Sequence, residues 1–210
     1  MSLNGSSKQR HINASKLGIA KSGALRHLIV LLGAAAAIWL QLGAQGFAQA
    51  QNDEVRQLVA RPDYRARLSH FDEFPVRRGD VVFLGDQLMH FGAWNEFFTG
   101  VSVRNRGITG DRADALLVRL QHVVDRGPSA IVLHIGANDI VAGADTQTVL
   151  ARIEKLLINL RGVAPPNRLL VVGLPPLTAG LSRPIREYNE QLRALVLRYG
   201  NVYVDIFDPL

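Results

Sequence analysis

Five short apolar runs, each ending in a turn or a polar loop, recur between residues 81 and 206. They are rich in Val, Ile and Leu, as is typical of strands buried on both faces of a parallel sheet. The runs predict strands over 81–84, 101–105, 130–135, 169–172 and 202–206.

The segments between these strands have a helical rhythm. Apolar residues recur every three or four positions over 111–124, 145–162 and 182–199, with Gly or Pro near the ends. Strands alternating with helices predict an α/β fold in three layers, with helices on both faces of a parallel sheet. Five strands fit the flavodoxin-like order 2-1-3-4-5, whose topological switch point lies between strands one and three.

Polar residues follow three of the predicted strands directly. Gly85-Asp86-Gln87 follows the first strand, Gly107-Ile108-Thr109-Gly110-Asp111 the second, and Gly136-Ala137-Asn138-Asp139 the third. Ligands of open α/β sheets bind beyond the carboxyl ends of the strands, near the switch point. We therefore expect these three loops to form one pocket.

The chain before the first strand has two parts. Residues 1–50 carry five basic and no acidic residues, an apolar run over 28–40, and Ala48-Gln49-Ala50. This pattern predicts a signal peptide, with an uncleaved N-terminal anchor as the alternative. Both interpretations place residues 81–210 outside the cytoplasm, in the periplasm or secreted, or anchored on the outer side of the membrane. Residues 51–80 predict a helical lead-in, with Pro62 at a first helical position.

The amino-acid composition argues against several classes of partner and cofactor. The net charge of +6 arises largely from the leader, because residues 51–210 hold 19 basic and 18 acidic side chains. Such a balance argues against a nucleic-acid partner. The absence of cysteine excludes disulfides, thiol catalysis and Cys-based zinc sites. No metal, dinucleotide or phosphate motif occurs, so we expect neither a metal nor a cofactor.

Three sequence blocks carry a family resemblance. Val82–Asp86, Asn105–Asp111 and Ile135–Asp139 follow one another at the ends of the first three predicted strands. In order and spacing they resemble the SGNH (GDSL-type) hydrolases, in particular the branch of the platelet-activating-factor acetylhydrolase subunits. The resemblance extends over about residues 64–207, and it implies an exported esterase or acetylhydrolase-like protein.

The resemblance implies roles for five residues. The backbone N–H of Gly110 and the side-chain amide of Asn138 would form an oxyanion hole, which stabilises a negative oxygen in acyl transfer. Asp86 and Asp139 would support the site loops, and Gln87 stands at the nucleophile position. Structural alternatives remain: a tight turn at Gly110, and turn capping by Asn138, Asp139 or Asp86.

Two departures from the family pattern bear on activity. The family's serine is Gln87 here, and a carboxamide has no ionisable nucleophile. The family's C-terminal Asp-x-x-His block and closing helix do not occur before Leu210. We therefore expect a C-terminally truncated SGNH-like domain over 81–210, catalytically impaired. Apolar surface left uncovered by the missing helix would favour self-association.

Three functional hypotheses follow. The first is an esterase-family protein with a degenerate site, and the second is a non-catalytic module that binds an acyl or carbohydrate ligand. The third is a hydrolase with an unorthodox nucleophile, for which Thr109 is near the hole but no histidine is evidently placed to activate it. In each case the ligand is a small ester, an acyl group or an acetylated sugar.

Other conspicuous side chains have simpler explanations. His134 is expected to be a buried histidine bonded to a neighbour, and His90 to lie at the surface or to line the pocket. Asp111 is expected to cap its helix. The aromatic side chains of Trp94, Phe97 and Phe98 are expected to pack in the core, with a lipid-binding surface as the alternative.

Overall fold

A computed structural model describes residues 52–124, 127–164, 166–176 and 182–208, with isolated positions between 37 and 50. The chain divides into two compact units, Met1–Asp53 and Glu54–Leu210. Most of the predicted leader lies outside the described residues, including its apolar run over 28–40 apart from Ala37, and Ala48 of the Ala48-Gln49-Ala50 site. Among the described residues, no helix combines the length and the apolar character needed to cross a membrane.

A five-stranded parallel sheet forms the centre of the second unit. Its strands are β1 (Val81–Gly85), β2 (Val103–Gly107), β3 (Ala130–His134), β4 (Leu169–Val172) and β5 (Val202–Val204). They lie in the order β2-β1-β3-β4-β5, which confirms the predicted fold. In register, Gly85 pairs with Gly107 on one side and with His134 on the other, so the first three strands end together.

Eight helices connect or precede these strands in the described residues. They are α1 (Pro62–Glu73), α2 (Gln87–Phe91), α3 (Trp94–Phe97), α4 (Ala113–Val118), α5 (Gln121–Val124), α6 (Ala137–Val141), α7 (Thr146–Leu160) and α8 (Ser182–Arg198). Residues 52–60 are also helical. Pro62 lies in the first turn of α1, as predicted, because its fixed φ suits that position.

The two faces of the sheet are covered differently. On one face Val82, Leu84, Ile131 and Leu133 join a large core with the apolar stripes of α4, α7 and α8. On the other face the cross-strand row Phe83, Val132, Leu170 and Val202 is covered by Trp94 at its β1 end. Toward β5 the row becomes half-buried and then exposed.

Three predicted elements differ from the structure. One is β5, which ends at Val204 rather than at residue 206. The second strand begins at Val103 rather than at residue 101, because Val101 and Ser102 are exposed and only residues 103–107 pair with β1. The single helix predicted over 111–124 is two short helices with a turn at Arg119 and Leu120. At this turn the Arg119 side chain is fully buried against the ends of the strands.

Candidate active site

The turn after β1 is fixed by Asp86. Its Oδ1 accepts a hydrogen bond from the backbone N–H of Leu88 (3.1 Å), which caps α2, and another from His134 Nδ1 (3.1 Å). Asp86 therefore both caps the turn and connects the β1 loop to β3. His134 is buried and bonded to a neighbour, as expected, although its Nε2 has no hydrogen-bond partner among the described residues.

Gln87 lies at the centre of the three loops. Its Oε1 accepts hydrogen bonds from the backbone N–H of Gly110 (3.3 Å) and from Asn138 Nδ2 (2.8 Å). Its Nε2 lies 3.4 Å from Asn138 Oδ1, so the two side-chain amides face each other. The sequence identified these three residues, and the structure places them together. It also puts the oxygen of Gln87 at the point on which the two predicted oxyanion donors converge.

Gly110 and Asn138 are held in place by the backbone around them. Gly110 has φ +78, a left-handed conformation that favours glycine, and a Cβ here would lie 3.0 Å from Arg61 Nη1. Asn138 uses its second amide hydrogen on the carbonyl oxygen of Asp111 (2.8 Å). Both donors therefore have a defined direction, as electrostatic stabilisation of a transition state requires.

Asp139 links the third loop to the second. Its Oδ2 accepts from the backbone N–H of Ala113 (2.9 Å), at the start of α4, and its Oδ1 accepts from Arg152 Nη1 of α7 (2.7 Å). Burial raises the pKa of Asp139, and these hydrogen bonds oppose that effect. The carboxylate fixes the helical turn that presents Asn138 to the pocket.

Asp111 is not a helix cap, so that prediction was wrong. Its carboxylate is completely buried and bonds to Arg119 through Nε and Nη2 (2.8 and 2.6 Å) and to the Tyr64 hydroxyl (3.0 Å). Arg119 also donates to the carbonyl oxygen of Gly85 (3.1 Å). Burial raises the pKa of Asp111 to about 6, although Arg119 and Tyr64 favour the ionised form.

A histidine does lie beside Thr109, contrary to expectation. His90 Nδ1 is 2.8 Å from Thr109 Oγ1, and it also accepts the backbone N–H of Thr109 (3.3 Å). Burial, together with Arg67, lowers the pKa of His90. The two residues come from different strand-end segments, 19 positions apart, so no spacing in the sequence could have revealed the pair.

An apolar cavity of about 480 Å³ opens beside Gln87. It is lined by Gln87 and His134 and by apolar groups of Leu88, Phe91, Trp94, Phe97, Ala137 and Pro175. Packing in the core was a wrong prediction for Phe97, which is 74% exposed, and for Phe98, which is 46% exposed, whereas Trp94 does pack against the core cluster of Phe83. Trp94 is half-buried and stacks on Phe83 with the ring centres 4.3 Å apart.

Two further findings concern a second cavity and the possibility of a metal site. A cavity of about 490 Å³ lies between α7 and α8, but no residue of the three loops lines it. Within the described ranges, His, Asp and Glu side chains nowhere gather in threes in a geometry that could hold a metal ion. The three loops themselves offer hydrogen-bond donors at Gly110 and Asn138 and titratable side chains at the histidines and aspartates.

A family model describing GDSL-like lipases and acylhydrolases matches residues 76–210. The chain belongs to this family. Over 123 residues it is 32% identical to the human platelet-activating factor acetylhydrolase IB subunit alpha1, covering 56% of this chain and 52% of the relative. Over 125 residues it is 33% identical to the rat subunit alpha2, with the same coverage. The chain thus spans about half the length of the curated relatives it matches.

Solved structures agree on the fold. A protein of Streptococcus pneumonia whose name refers to platelet activating factor matches with a TM-score of 0.64 and 20% identity, covering 78% of this chain and 82% of the other. The SGNH-hydrolase family esterase AlinE4 matches with a TM-score of 0.51 and 20% identity, covering 61% and 76%. At these identities the similarity is one of fold, and the chemistry has to be argued from the site.

Proposed function

We propose that this protein is an esterase or acetylhydrolase-like member of the family whose hydrolytic activity is impaired by Gln87. One observation carries the proposal: Gln87 Oε1 accepts hydrogen bonds from both Gly110 N and Asn138 Nδ2. Gln87 then has two effects. First, it supplies no attacking oxygen at the position where the family has a serine. Second, its amide oxygen binds the two donors to which the oxygen of a substrate acyl group would bind.

The energetic cost of this occupancy can be estimated. A substrate carbonyl must displace the Gln87 amide before it can bond to the two donors, and each such bond contributes about 0.5–1.5 kcal/mol net. Loss of one oxyanion donor alone slows acyl transfer by about 10²–10³-fold. Occupancy of both donors, combined with the loss of the nucleophile, is therefore sufficient to suppress ordinary ester hydrolysis.

The ligand we propose is a small ester with an apolar acyl portion. The family is one of lipases and acylhydrolases, and the two curated relatives above are named acetylhydrolases. The cavity beside Gln87 is lined mainly by apolar and aromatic groups, which suits a hydrocarbon chain better than a sugar. The same cavity supports a second candidate function, a non-catalytic module that binds an acyl group without turnover.

The proposal is tested by ester turnover. The full chain is mixed with p-nitrophenyl acetate and p-nitrophenyl butyrate, and an inert protein of similar lysine content serves as the control. We expect release of nitrophenol no faster than in the control. Turnover well above the control that Asn138→Ala abolishes would contradict the proposal. Stabilisation of the chain by a short fatty acid, without turnover, would favour the binding module.

Export is a separate proposal, supported by the charge and apolar pattern of residues 1–50. Expression of the full chain in a bacterial host, followed by fractionation and N-terminal sequencing, tests it. A product in the periplasm that begins at Gln51 is expected for a cleaved signal peptide. A product at full length in the membrane fraction indicates the anchor, and one retained in the cytoplasm contradicts export.

A further inference from the structure

We propose that Thr109 and His90 form a latent nucleophile and base, which cannot act while Gln87 occupies the two oxyanion donors Gly110 and Asn138. The inference rests on the proposed function, because it uses the same two oxyanion donors. In this arrangement the attacking oxygen comes from the loop after β2, whereas position 87 lies after β1.

The hydrogen bonds define the state of His90. A backbone N–H can only donate, so the bond from Thr109 N to His90 Nδ1 (3.3 Å) requires a lone pair on Nδ1. The Thr109 hydroxyl, 2.8 Å from the same nitrogen, must then be the donor. A hydroxyl proton directed at an unprotonated imidazole nitrogen is the arrangement that activates an alcohol nucleophile. The lowered pKa of His90 agrees with a neutral ring.

The imidazole is held by its surroundings. Asn105 Nδ2 donates to the carbonyl oxygens of Met89 (2.7 Å) and His90 (3.0 Å), which ties the end of α2 to β2. The ring of His90 lies parallel to that of Phe91, with centres 4.9 Å apart. His90 and Thr109 are both only half-buried, so part of each residue is open to solvent.

Thr109 also has the required relation to the oxyanion donors. It directly precedes Gly110, whose N–H points to Gln87 Oε1 (3.3 Å). In serine hydrolases of another α/β fold, the N–H of the residue after the nucleophile is likewise part of the oxyanion hole. Once Gln87 is removed, an acyl oxygen can take the place of its amide oxygen, with the Thr109 hydroxyl on the neighbouring residue.

The acylation step balances without any further reagent. Thr109 Oγ1 attacks the ester carbonyl carbon while its proton passes to His90 Nδ1, and the carbonyl oxygen becomes an oxyanion bonded to Gly110 N and Asn138 Nδ2. The bond from carbon to the leaving oxygen then breaks, and the leaving alcohol takes the proton from His90. The products are an ester on Thr109 and a free alcohol. Water hydrolyses that ester by the same steps.

The experiment uses the full chain carrying Gln87→Ala. After incubation with p-nitrophenyl acetate, intact mass and peptide mapping should locate one acetyl group on Thr109. The Gln87→Ala/Thr109→Ser double variant should also be acetylated. The Gln87→Ala/Thr109→Val variant, which keeps the side-chain shape without the hydroxyl, should not. Replacing His90 by Gln in the Gln87→Ala background should slow acetylation by about 10²–10⁴-fold, the usual contribution of a general base.

Each outcome decides between the two proposals. If acetylation falls on lysines only, or persists unchanged with Thr109→Val, the Thr109–His90 inference is overturned. If the wild type shows no ester turnover and Gln87→Ala carries no acetyl group on Thr109, the proposed function stands and only this inference is overturned. Turnover by the wild type contradicts the proposed function whatever is found at Thr109. Matching circular dichroism spectra and unfolding midpoints of the variants exclude misfolding as the cause.

Discussion

The buried side and the open side of the three-loop site are built from different interactions. Beneath the loops, Asp111 and Asp139 are completely buried, and each carboxylate bonds to an arginine and to at least one further donor. On the open side, Gln87 is half-buried and its contacts with the loops are hydrogen bonds to neutral amide groups. The buried side fixes where Gly110 and Asn138 point, whereas the open side determines what they bind. The identity of residue 87 is thus largely independent of the support beneath it.

The largest loss of stability is expected when the buried ion pair beneath the loops is removed. Arg119→Met leaves the Asp111 carboxylate without its cation in a site closed to water, and removal of one partner of a buried ion pair costs about 3–5 kcal/mol. Urea unfolding monitored by circular dichroism measures the change. Arg183→Met, which breaks an exposed pair with Glu187, is the matched control and should show no resolvable change. Equal stability of the two variants would mean that the buried pair does not hold the site.

The next effect is a dependence of stability on pH. The pKa of Asp111 rises from 3.8 in the unfolded chain to about 6 in the folded protein, so the folded state holds the proton more tightly. The stabilisation of the folded state by protonated Asp111 is therefore complete below about pH 4 and is lost as the pH rises to about 6. The free energy of unfolding falls over this range by at most about 1.4 kcal/mol per pH unit.

Comparison of the wild type with Asp111→Asn isolates this contribution. Asparagine does not titrate, so the fall in unfolding free energy between about pH 4 and 6 should be shallower in the variant. The pKa of Asp139 is also raised, but its contribution to the pH dependence is the same in both proteins and cancels in the comparison. Identical slopes in the two proteins would contradict the elevated pKa of Asp111.

A smaller effect on stability is expected at the open side. Gln87→Ala removes the three hydrogen bonds of a half-buried side chain. Because water can replace them in part, we expect a loss of about 1–2 kcal/mol in unfolding free energy. Thermal or urea unfolding checks this value. A loss as large as that of Arg119→Met would show that Gln87 is part of the support and would remove the distinction between the two sides.

The smallest effect on stability is expected at the cavity rim. Phe97→Ala changes a largely exposed ring, so the unfolding free energy should stay within about 0.5 kcal/mol of the wild type. The affinity for a fluorescent fatty-acid probe should nevertheless fall several-fold, because Phe97 lines the cavity. Phe74→Ala, an exposed aromatic outside the cavity, is the control. Equal losses of probe affinity in both variants would exclude the cavity as the binding site.

Self-association remains a prediction. The apolar row across the second face of the sheet is covered at Phe83 and becomes exposed at Val202, at the β5 edge. Sedimentation of the full chain at several concentrations tests it. Val202→Lys should shift the distribution toward monomer if this face mediates contact. A monomer at all concentrations would contradict the expectation.

Much of the fold follows from local pattern in the sequence. The apolar runs and the turns after them locate the strands, and the alternation with helices indicates a parallel sheet, for which five strands fit the order that is observed. The start of β2 was misplaced because Val101 is apolar yet exposed, and sequence pattern does not reveal burial. The burial of Phe97 and Phe98 was mispredicted for the same reason, since a short apolar segment has no periodicity to show which face is inside.

The candidate site was only partly predictable. Gln87, Gly110 and Asn138 were identified by their positions after the strands, and the structure places them in one hydrogen-bonded group. The hydrogen bonds of the Gln87 oxygen to Gly110 and Asn138, the proposed oxyanion donors, could not be predicted, because they depend on a side-chain rotamer. The pair of His90 and Thr109 depends on how α2 packs against β2, a tertiary contact with no signature in residue spacing.

The central claim is that the Gln87 amide oxygen occupies the oxyanion hole. It is tested most directly by titrating acetate into ¹⁵N-labelled wild type and Gln87→Ala and following the backbone amide of Gly110 and the side-chain amide of Asn138 by NMR. A carboxylate oxygen can replace the missing amide oxygen in the variant. We predict saturable shifts of both signals in Gln87→Ala and none in the wild type over the same concentrations. Equal shifts in the two proteins would contradict the claim, because Gly110 and Asn138 would then be free while Gln87 is present.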